Sequence, residues 1–477
     1  MTDHLTALDA AFLELEEGDS SAHMHIGWTM LFDPLPRGGT PAVDEVRRLL
    51  EERLSLLPRF RRRLSTPNIG TLSWPTWIAD EEFEIAAQVP HATLPEPGGQ
   101  DEFFEWLAGF YSRRLDRTRP LWEMTLVDGF SDGKWAIAVK VHHCLVDGIS
   151  GASVVGLILD PEPQPGDESK GVLEAFQPPP DREDGIYGPL SLITHGAHAG
   201  VDLALHPRKL RDLLSRSRGV AELFVRDELR GAPRTSLNVP IGRNRRLAEI
   251  SVQLEELKAV KRELGGTVND VVLAASVGGL RRLLESRGEE PDPRGVRAMV
   301  PVSVREASEA MALGNRVSSL FVELPAAEPD PYERYRETIA AAEALKGGKQ
   351  AAGAETLVDI AGLAPPVLHA VAARLSYTPR LFNVTITNVP GSPTTLYALG
   401  APLRHIFPLV PIFAYHAVGI AVVSYDGEVV FGLNADRDTV PDLEILARGI
   451  ADSLGELREL AGTRSASTGR VRNPRKM

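Results

Sequence analysis

The chain is predicted to fold as two α/β domains with mixed sheets, joined by an exposed connector. Three observations predict it. At 477 residues it is longer than one ordinary hydrophobic core can serve. In both halves, apolar residues recur with a helical period in some segments and with a period of two in others. Between the halves, residues 161–185 are rich in Pro, Asp, Glu and Gly, the composition of a solvated linker. The expected boundaries are 1–160 for the first domain, 161–239 for a linker and helical crossover, 240–462 for the second domain, and 463–477 for a basic disordered tail.

In the first domain, Val43, Val46, Leu49, Leu50 and Leu54 lie at helical spacing and predict a helix over 42–57. A second helix is predicted over 102–115. Residues 121–127 and 134–141 read as a strand pair around the turn signals Asp128-Gly129 and Asp132-Gly133. Residues 186–230 read as helical, and 207–218 set five basic residues beside Leu210, Leu213 and Leu214. An ordinary solvated helix is favoured there over a membrane-surface one. In the second domain a helix is predicted over 268–284, with strands near 296–302, 317–324, 384–387, 420–424 and 429–433. The apolar run 406–423 contains Pro408, Pro411 and His416, so short buried strands are expected rather than a membrane-spanning helix.

The strand over 134–141 runs into His142-His143-Cys144-Leu145-Val146-Asp147-Gly148. Trp135, Ile137, Val139 and Val141 share one face, which His143 continues if the strand stays regular; His142 then lies on the other face beside Lys140. Asp147-Gly148 closes the run as a turn, because Gly tolerates positive φ and Asp bonds local backbone. An inward imidazole at a strand end suits proton abstraction, which needs a fixed tautomer and a pKa near neutrality.

Bulk composition narrows the function. Apolar content of 43% and charged content of 25% are those of a soluble globular protein. The formal charge of −13 argues against general nucleic-acid binding, although basic residues cluster at 59–63, 208–218, 243–246 and in the tail. Cys144 is the only cysteine, so no internal disulfide can form and a reducing, cytoplasmic compartment is expected. The start, Met1-Thr-Asp-His-Leu, lacks a basic stretch followed by an apolar one, so no secretory signal is expected.

Beyond the doubled histidine, a series of short strings runs along nearly the whole chain. They are Leu5-Thr-Ala-Leu-Asp-Ala-Ala-Phe12, Leu57-Pro-Arg-Phe60, Arg119-Pro-Leu-Trp122-Glu123, Leu237-Asn-Val-Pro-Ile-Gly242, Thr267-Val-Asn-Asp270, Pro301-Val-Ser303, Gly314-Asn315, Thr387-Asn-Val-Pro-Gly391 and Ala435-Asp-Arg-Asp438. In their order and spacing the chain resembles the bacterial bifunctional wax ester synthase/acyl-CoA:diacylglycerol acyltransferases. The resemblance implies a fold similar to chloramphenicol acetyltransferase and the coenzyme-A-dependent acyltransferases, with two related domains, a tunnel between them and His143 near its middle. It implies acyl-CoA as co-substrate with no permanently bound cofactor, diacylglycerol as acceptor and long-chain alcohols as alternative acceptors. A peripheral association with the inner membrane or lipid droplets fits such substrates; nucleic acid is not an expected partner. Phe413-Ala-Tyr-His416 departs from the family pattern, where many relatives are more polar or Gly-rich, and is expected to reshape an acyl pocket.

Esterification by a thioester needs a base for the hydroxyl and a donor for the oxyanion, not a metal or a covalent intermediate. His143 is the expected general base. His142 is expected to support it, Gly148 to allow close packing at the turn, and Asp147 to orient the imidazole or, as the superfamily implies, to lock the loop through an Arg. Asn269 and Asp270 precede the apolar helical run, where simple helix capping competes with a role in shaping the site. Thr385, Thr387 and Asn388, on one strand, are the oxyanion candidates. Cys144 reads as a filler, because strand neighbours face opposite ways. A metal site is not expected, because the two imidazoles diverge and no further ligand cluster has the spacing. The rival readings are the same chemistry on another lipid acceptor, and a lipid-droplet scaffold with little turnover.

Overall fold

The computed structural model describes residues 3–5, 7–54, 57–65, 75–146, 154–164, 231–303, 317–346 and 381–471. Asp147, Gly148, Gly314, Asn315, most of 161–185 and all of 186–230 lie outside the described residues.

Among the described residues the main helices are α1 (Ala7–Gly18), α2 (Val43–Leu54), α3 (Ile85–Gln88), α4 (Gln100–Tyr111), α5 (Leu254–Leu264), α6 (Val268–Ser286), α7 (Pro331–Lys346) and α8 (Leu443–Val471). The strands of the first part are β1 (Asp3–His4), β2 (His25–Phe32), β3 (Arg62–Leu64), β4 (Thr76–Ala79), β5 (His91–Thr93), β6 (Trp122–Asp128) and β7 (Trp135–His142). Those of the second are β8 (Arg245–Gln253), β9 (Val296–Ser303), β10 (Val317–Leu324), β11 (Val384–Pro390), β12 (Tyr397–Ala398), β13 (Ala401–Leu409), β14 (Val418–Tyr425) and β15 (Glu428–Asp436). They form two six-stranded sheets, ordered β12-β13-β2-β7-β6-β5 and β10-β9-β11-β14-β15-β8, plus a small sheet β1-β4-β3.

The helices predicted over 42–57, 102–115 and 268–284 correspond to α2, α4 and α6, and the predicted strands to β6, β7, β9, β10, β11, β14 and β15. The run 406–423 is indeed split between β13 and β14, and no described helix is long and apolar enough to cross a membrane.

Two expectations are corrected. Residues 397–409, assigned to the second domain, form β12 and β13 at the edge of the first sheet, where Ile406 pairs Met30 and Leu409 pairs Gly27. The physical reason is that β2 has an open edge, while Leu403 and Ile406 bury their side chains in the first core beside Met30. The second correction concerns the tail. α8 runs on to Val471, so the segment expected to lack structure from 463 is helical that far. Its buried Leu446, Ile450, Leu454 and Leu457 nucleate the helix against the core, and further turns then add one hydrogen bond per residue.

β7 is buried on both faces. Trp135, Ile137, Val139 and Val141 join one core, while Ala136 and Ala138 face a second beneath α4. In the second sheet β11 runs parallel to both neighbours, β9 and β14, and α6 and α8 cover one face. The helices approach closely because Gly278 and Gly279 leave room; a Cβ at Gly279 would lie 2.5 Å from Ile450 Cγ1.

β13 also joins the two sheets across their faces. Tyr425 Oη donates to Leu403 O at 3.0 Å, and Asn434 Nδ2 donates to Val410 O at 2.9 Å. His405 stands between two carboxylates, Glu249 at 2.8 Å from Nε2 and Glu428 at 3.0 Å from Nδ1. Burial opposes its charge, but hydrogen bonds to both carboxylates outweigh burial and raise the imidazole to about 9 from an ordinary 6.5. A raised folded-state pKa stabilises the fold fully below the unfolded value, and that contribution is lost as pH rises through about 9. About 1–3 kcal/mol should therefore disappear between roughly pH 6.5 and 9.5, after allowance for partial solvent screening. Urea midpoints across that range should fall more steeply for wild type than for His405→Gln; parallel curves would contradict this.

Candidate active site

β7 ends at His142, so its alternation does not carry through His143. Instead the His143 N–H donates to Met24 O at 2.7 Å, and a turn follows in which Leu145 N–H donates to His142 O at 2.9 Å. Cys144, Leu145 and Val146 fill the first core beside Val141. The half-buried His143 ring lies elsewhere, stacked on Phe12 of α1 with centroids 4.0 Å apart and planes 16° from parallel. Phe12 in turn belongs to an apolar cluster drawn from both halves, including Met24, Met299, Phe382 and Phe413.

His142, 1% exposed, faces a buried carboxylate that sequence reasoning missed. Cys144 N–H donates to His142 Nδ1 at 3.1 Å, so a neutral ring carries its proton on Nε2, which faces Glu16 Oε2 at 3.4 Å. The other Glu16 oxygen is 3.5 Å from His25 Nε2, and Arg117 closes on Oε2 at 2.8 Å. Burial works against a Glu16 charge, yet the His142 proton and the cations around the carboxyl hold it well below the usual carboxylate range. Burial pushes His25 well below its ordinary value despite Glu16, so it is neutral, and its Nε2 accepts from Leu115 N–H at 3.4 Å. Helical spacing could have revealed this hub, because Glu16 lies four residues after Phe12 on the same face of α1. Among the described residues no group of three or more His, Cys, Asp or Glu side chains could hold a metal.

The structure separates the second-domain candidates. Asp270 closes a capping box on α6: its Oδ2 accepts from Thr267 N–H and Oγ1, both at 2.8 Å, and its own N–H donates to Thr267 Oγ1 at 3.2 Å. Asn269, beside it, accepts from Asn388 Nδ2 at 3.2 Å. Asn388 thus points to the helix-covered face of β11, together with Ile386 of the second core. Thr385 and Thr387 point the opposite way. Their register partners Gly419 and Ala421 share a face with Val423 and Tyr425, which bury in the first domain's core. Thr385 also pairs with Met299, a member of the Phe12 cluster. The two threonines therefore face the first domain on the side of His143, and Asn388 does not.

Cys144 is fully buried, and burial pushes its thiol well above the ordinary value, so it holds no thiolate. Cys144→Ala should turn over substrate within about threefold of wild type, which a steady-state assay checks. Of the Phe413-Ala-Tyr-His416 segment, Phe413 enters the Phe12 cluster, and His416 stacks on Phe382 with centroids 3.8 Å apart. Tyr415, between them, is 41% exposed with φ of 64°.

Residues 5–272 match the wax ester synthase/diacylglycerol acyltransferase catalytic domain, and 313–458 match the WS/DGAT C-terminal domain. The chain is 32% identical over 469 residues to the probable diacylglycerol O-acyltransferase tgs1 of Mycobacterium tuberculosis, covering 97% of each. It is 33% identical over 459 residues to tgs2 of the same species, covering 95% of this chain and 98% of the relative. Among solved structures it is similar to the wax ester synthase/diacylglycerol acyltransferase from Marinobacter aquaeolei VT8, at 26% identity and a TM-score of 0.68, over 96% of this chain and all of that one. The fold extends to the first condensation domain of the calcium-dependent antibiotic synthetase, at 16% identity and a TM-score of 0.61, over 97% of this chain and 96% of that one. Two matched domain models that together span most of the chain, and relatives aligned along their whole length, place it in one family: the chain belongs to the wax ester synthase/diacylglycerol acyltransferases.

Proposed function

We propose that this chain is an O-acyltransferase that moves a long-chain acyl group from acyl-CoA to diacylglycerol, with His143 as the general base. The observation that carries the reading is the position of His143. It follows a strand buried on both faces, its backbone is tied to Met24, and its ring lies against an apolar cluster built from both halves. A rigid strand end fixes the imidazole, and the apolar surroundings suit an acyl chain.

In this mechanism His143 takes the proton of the acceptor hydroxyl as that oxygen attacks the thioester carbonyl. The tetrahedral oxyanion collapses, the C–S bond breaks, and the imidazolium returns its proton to the coenzyme A thiolate. Thr385 and Thr387 are favoured as oxyanion donors over Asn388 in this reading, because they face away from the helix-covered side on which Asn388 bonds Asn269. Asn269 and Asp270 act at one remove, by holding the start of α6 and the Asn388 side chain.

Acyl-CoA as donor is supported by the fold, since a starter condensation domain of similar fold was solved with C8-CoA. The acceptor reading follows the names of the relatives. Because diacylglycerol is held in lipid, the enzyme is expected to work at the cytoplasmic surface of the inner membrane or of lipid droplets. The test is coenzyme A release from palmitoyl-CoA by purified protein with dipalmitoylglycerol, with hexadecanol, or with neither. Release that needs dipalmitoylglycerol supports the reading. A preference for hexadecanol would move it to wax ester synthesis, and no release with either would contradict it.

A further inference from the structure

We propose that α1 is the positioning element for the catalytic histidine, with Phe12 setting the plane of the His143 ring and Glu16 holding the adjoining His142. The proposal rests on the reading of His143 as general base and adds to it the device that aims the base.

Phe12 and Glu16 are one helical turn apart, so both reach the end of β7 from a single rigid face. Phe12 is 6% exposed and stacks nearly parallel on His143, which limits rotation of the imidazole about its long axis. Glu16, 2% exposed, faces the Nε2 of His142, whose Nδ1 accepts the backbone N–H of Cys144. The peptide units on both sides of His143 are therefore tied down. Met24 O receives its N–H on one side, and His142, whose Nε2 lies 3.4 Å from Glu16 Oε2, receives that of Cys144 on the other.

The helix is itself anchored. Arg114 donates to the carbonyls of Glu16 at 2.5 Å, Asp19 at 2.6 Å and Ala22 at 3.3 Å. Arg117 donates to Leu13 O at 3.1 Å and to the Glu16 carboxylate. Arg245, from the second half, donates to Ser21 O just beyond the helix. Arg114 thus satisfies the Glu16 carbonyl in the last turn of α1, and the cations gathered at that end complement its dipole. Burying a carboxylate among histidines and arginines is costly compared with apolar packing. Such a cost is understandable where fixed geometry is required, because a catalytic group misplaced by about 1 Å can lose roughly a hundredfold in rate.

The test is a double-mutant cycle in the full-length enzyme, with kcat and KM measured for palmitoyl-CoA and dipalmitoylglycerol. Phe12→Leu should lower kcat by about 10- to 100-fold with KM changed less than about threefold, and Phe12→Tyr, which keeps the ring, should recover most of it. In a His143→Ala background Phe12→Leu should change kcat by less than about threefold, because a residue that acts through His143 has nothing left to position. Glu16→Gln should show the same non-additivity. Equal losses from Phe12→Leu in both backgrounds would overturn the positioning role while leaving the base intact. Wild-type turnover by His143→Ala alone would instead overturn the base. Should Phe12→Leu fold poorly, the Phe12→Tyr and Glu16→Gln arms still decide the matter.

Discussion

His143→Ala is expected to lower acceptor-dependent release of coenzyme A by about a hundred- to ten-thousand-fold, the range that general base catalysis supplies. The residual rate should exceed that of the reaction in water, because binding and oxyanion stabilisation survive the change. The effect should fall on turnover rather than folding. The ring is half-buried and stacks on Phe12, while the backbone bond to Met24 O persists in the variant. A loss of stability near 1 kcal/mol is expected, as for removal of one partly buried ring contact. Circular dichroism and a urea midpoint near wild type, beside the lost turnover, would separate the two effects.

The second large effect concerns the joint between the halves. A Cβ at Gly432 of β15 would lie 1.9 Å from Pro408 O on β13, and backbone cannot swing aside as the end of a long side chain can. Pro408 is itself fixed by the pairing of β13 with β2. Gly432→Ala should therefore push the sheets apart locally and destabilise the protein by about 3 kcal/mol, at the upper end of overpacking penalties. It should also strain the neighbouring Asn434–Val410 and His405 contacts. A urea midpoint equal to that of wild type would contradict this account of the interface.

The local part of the fold was readable from the residues. The β6–β7 pair flanks two Asp/Gly turn signals, with the period of two visible along β7, and α6 shows an apolar run after a Thr-x-x-Asp cap. What could not be read depends on distant partners. β13 joins β2 across more than 370 residues of chain, as in the pairing of Leu403 with Phe32, and no local pattern encodes that. The run Glu14 to Asp19 looks like a solvated helix end by composition, yet Glu16 is buried because His25, Arg117 and His142 arrive from three other segments. For the site, the doubled histidine located the strand end but misjudged the ring's direction, since β7 stops one residue before His143. The Thr/Asn trio on β11 could have been divided from sequence, because residues three apart on a strand face opposite sides. Which side faced the first domain required the structure.

The decisive measurement for His143 as the base is transfer of radiolabelled palmitoyl from palmitoyl-CoA to dipalmitoylglycerol, followed side by side for wild type and His143→Ala. The wild type should give labelled triacylglycerol, formed mole for mole with free coenzyme A, and the folded variant at least a hundredfold less. Labelled triacylglycerol at equal rates from both proteins would contradict His143 as the base, and none from either would contradict the acyl transfer itself.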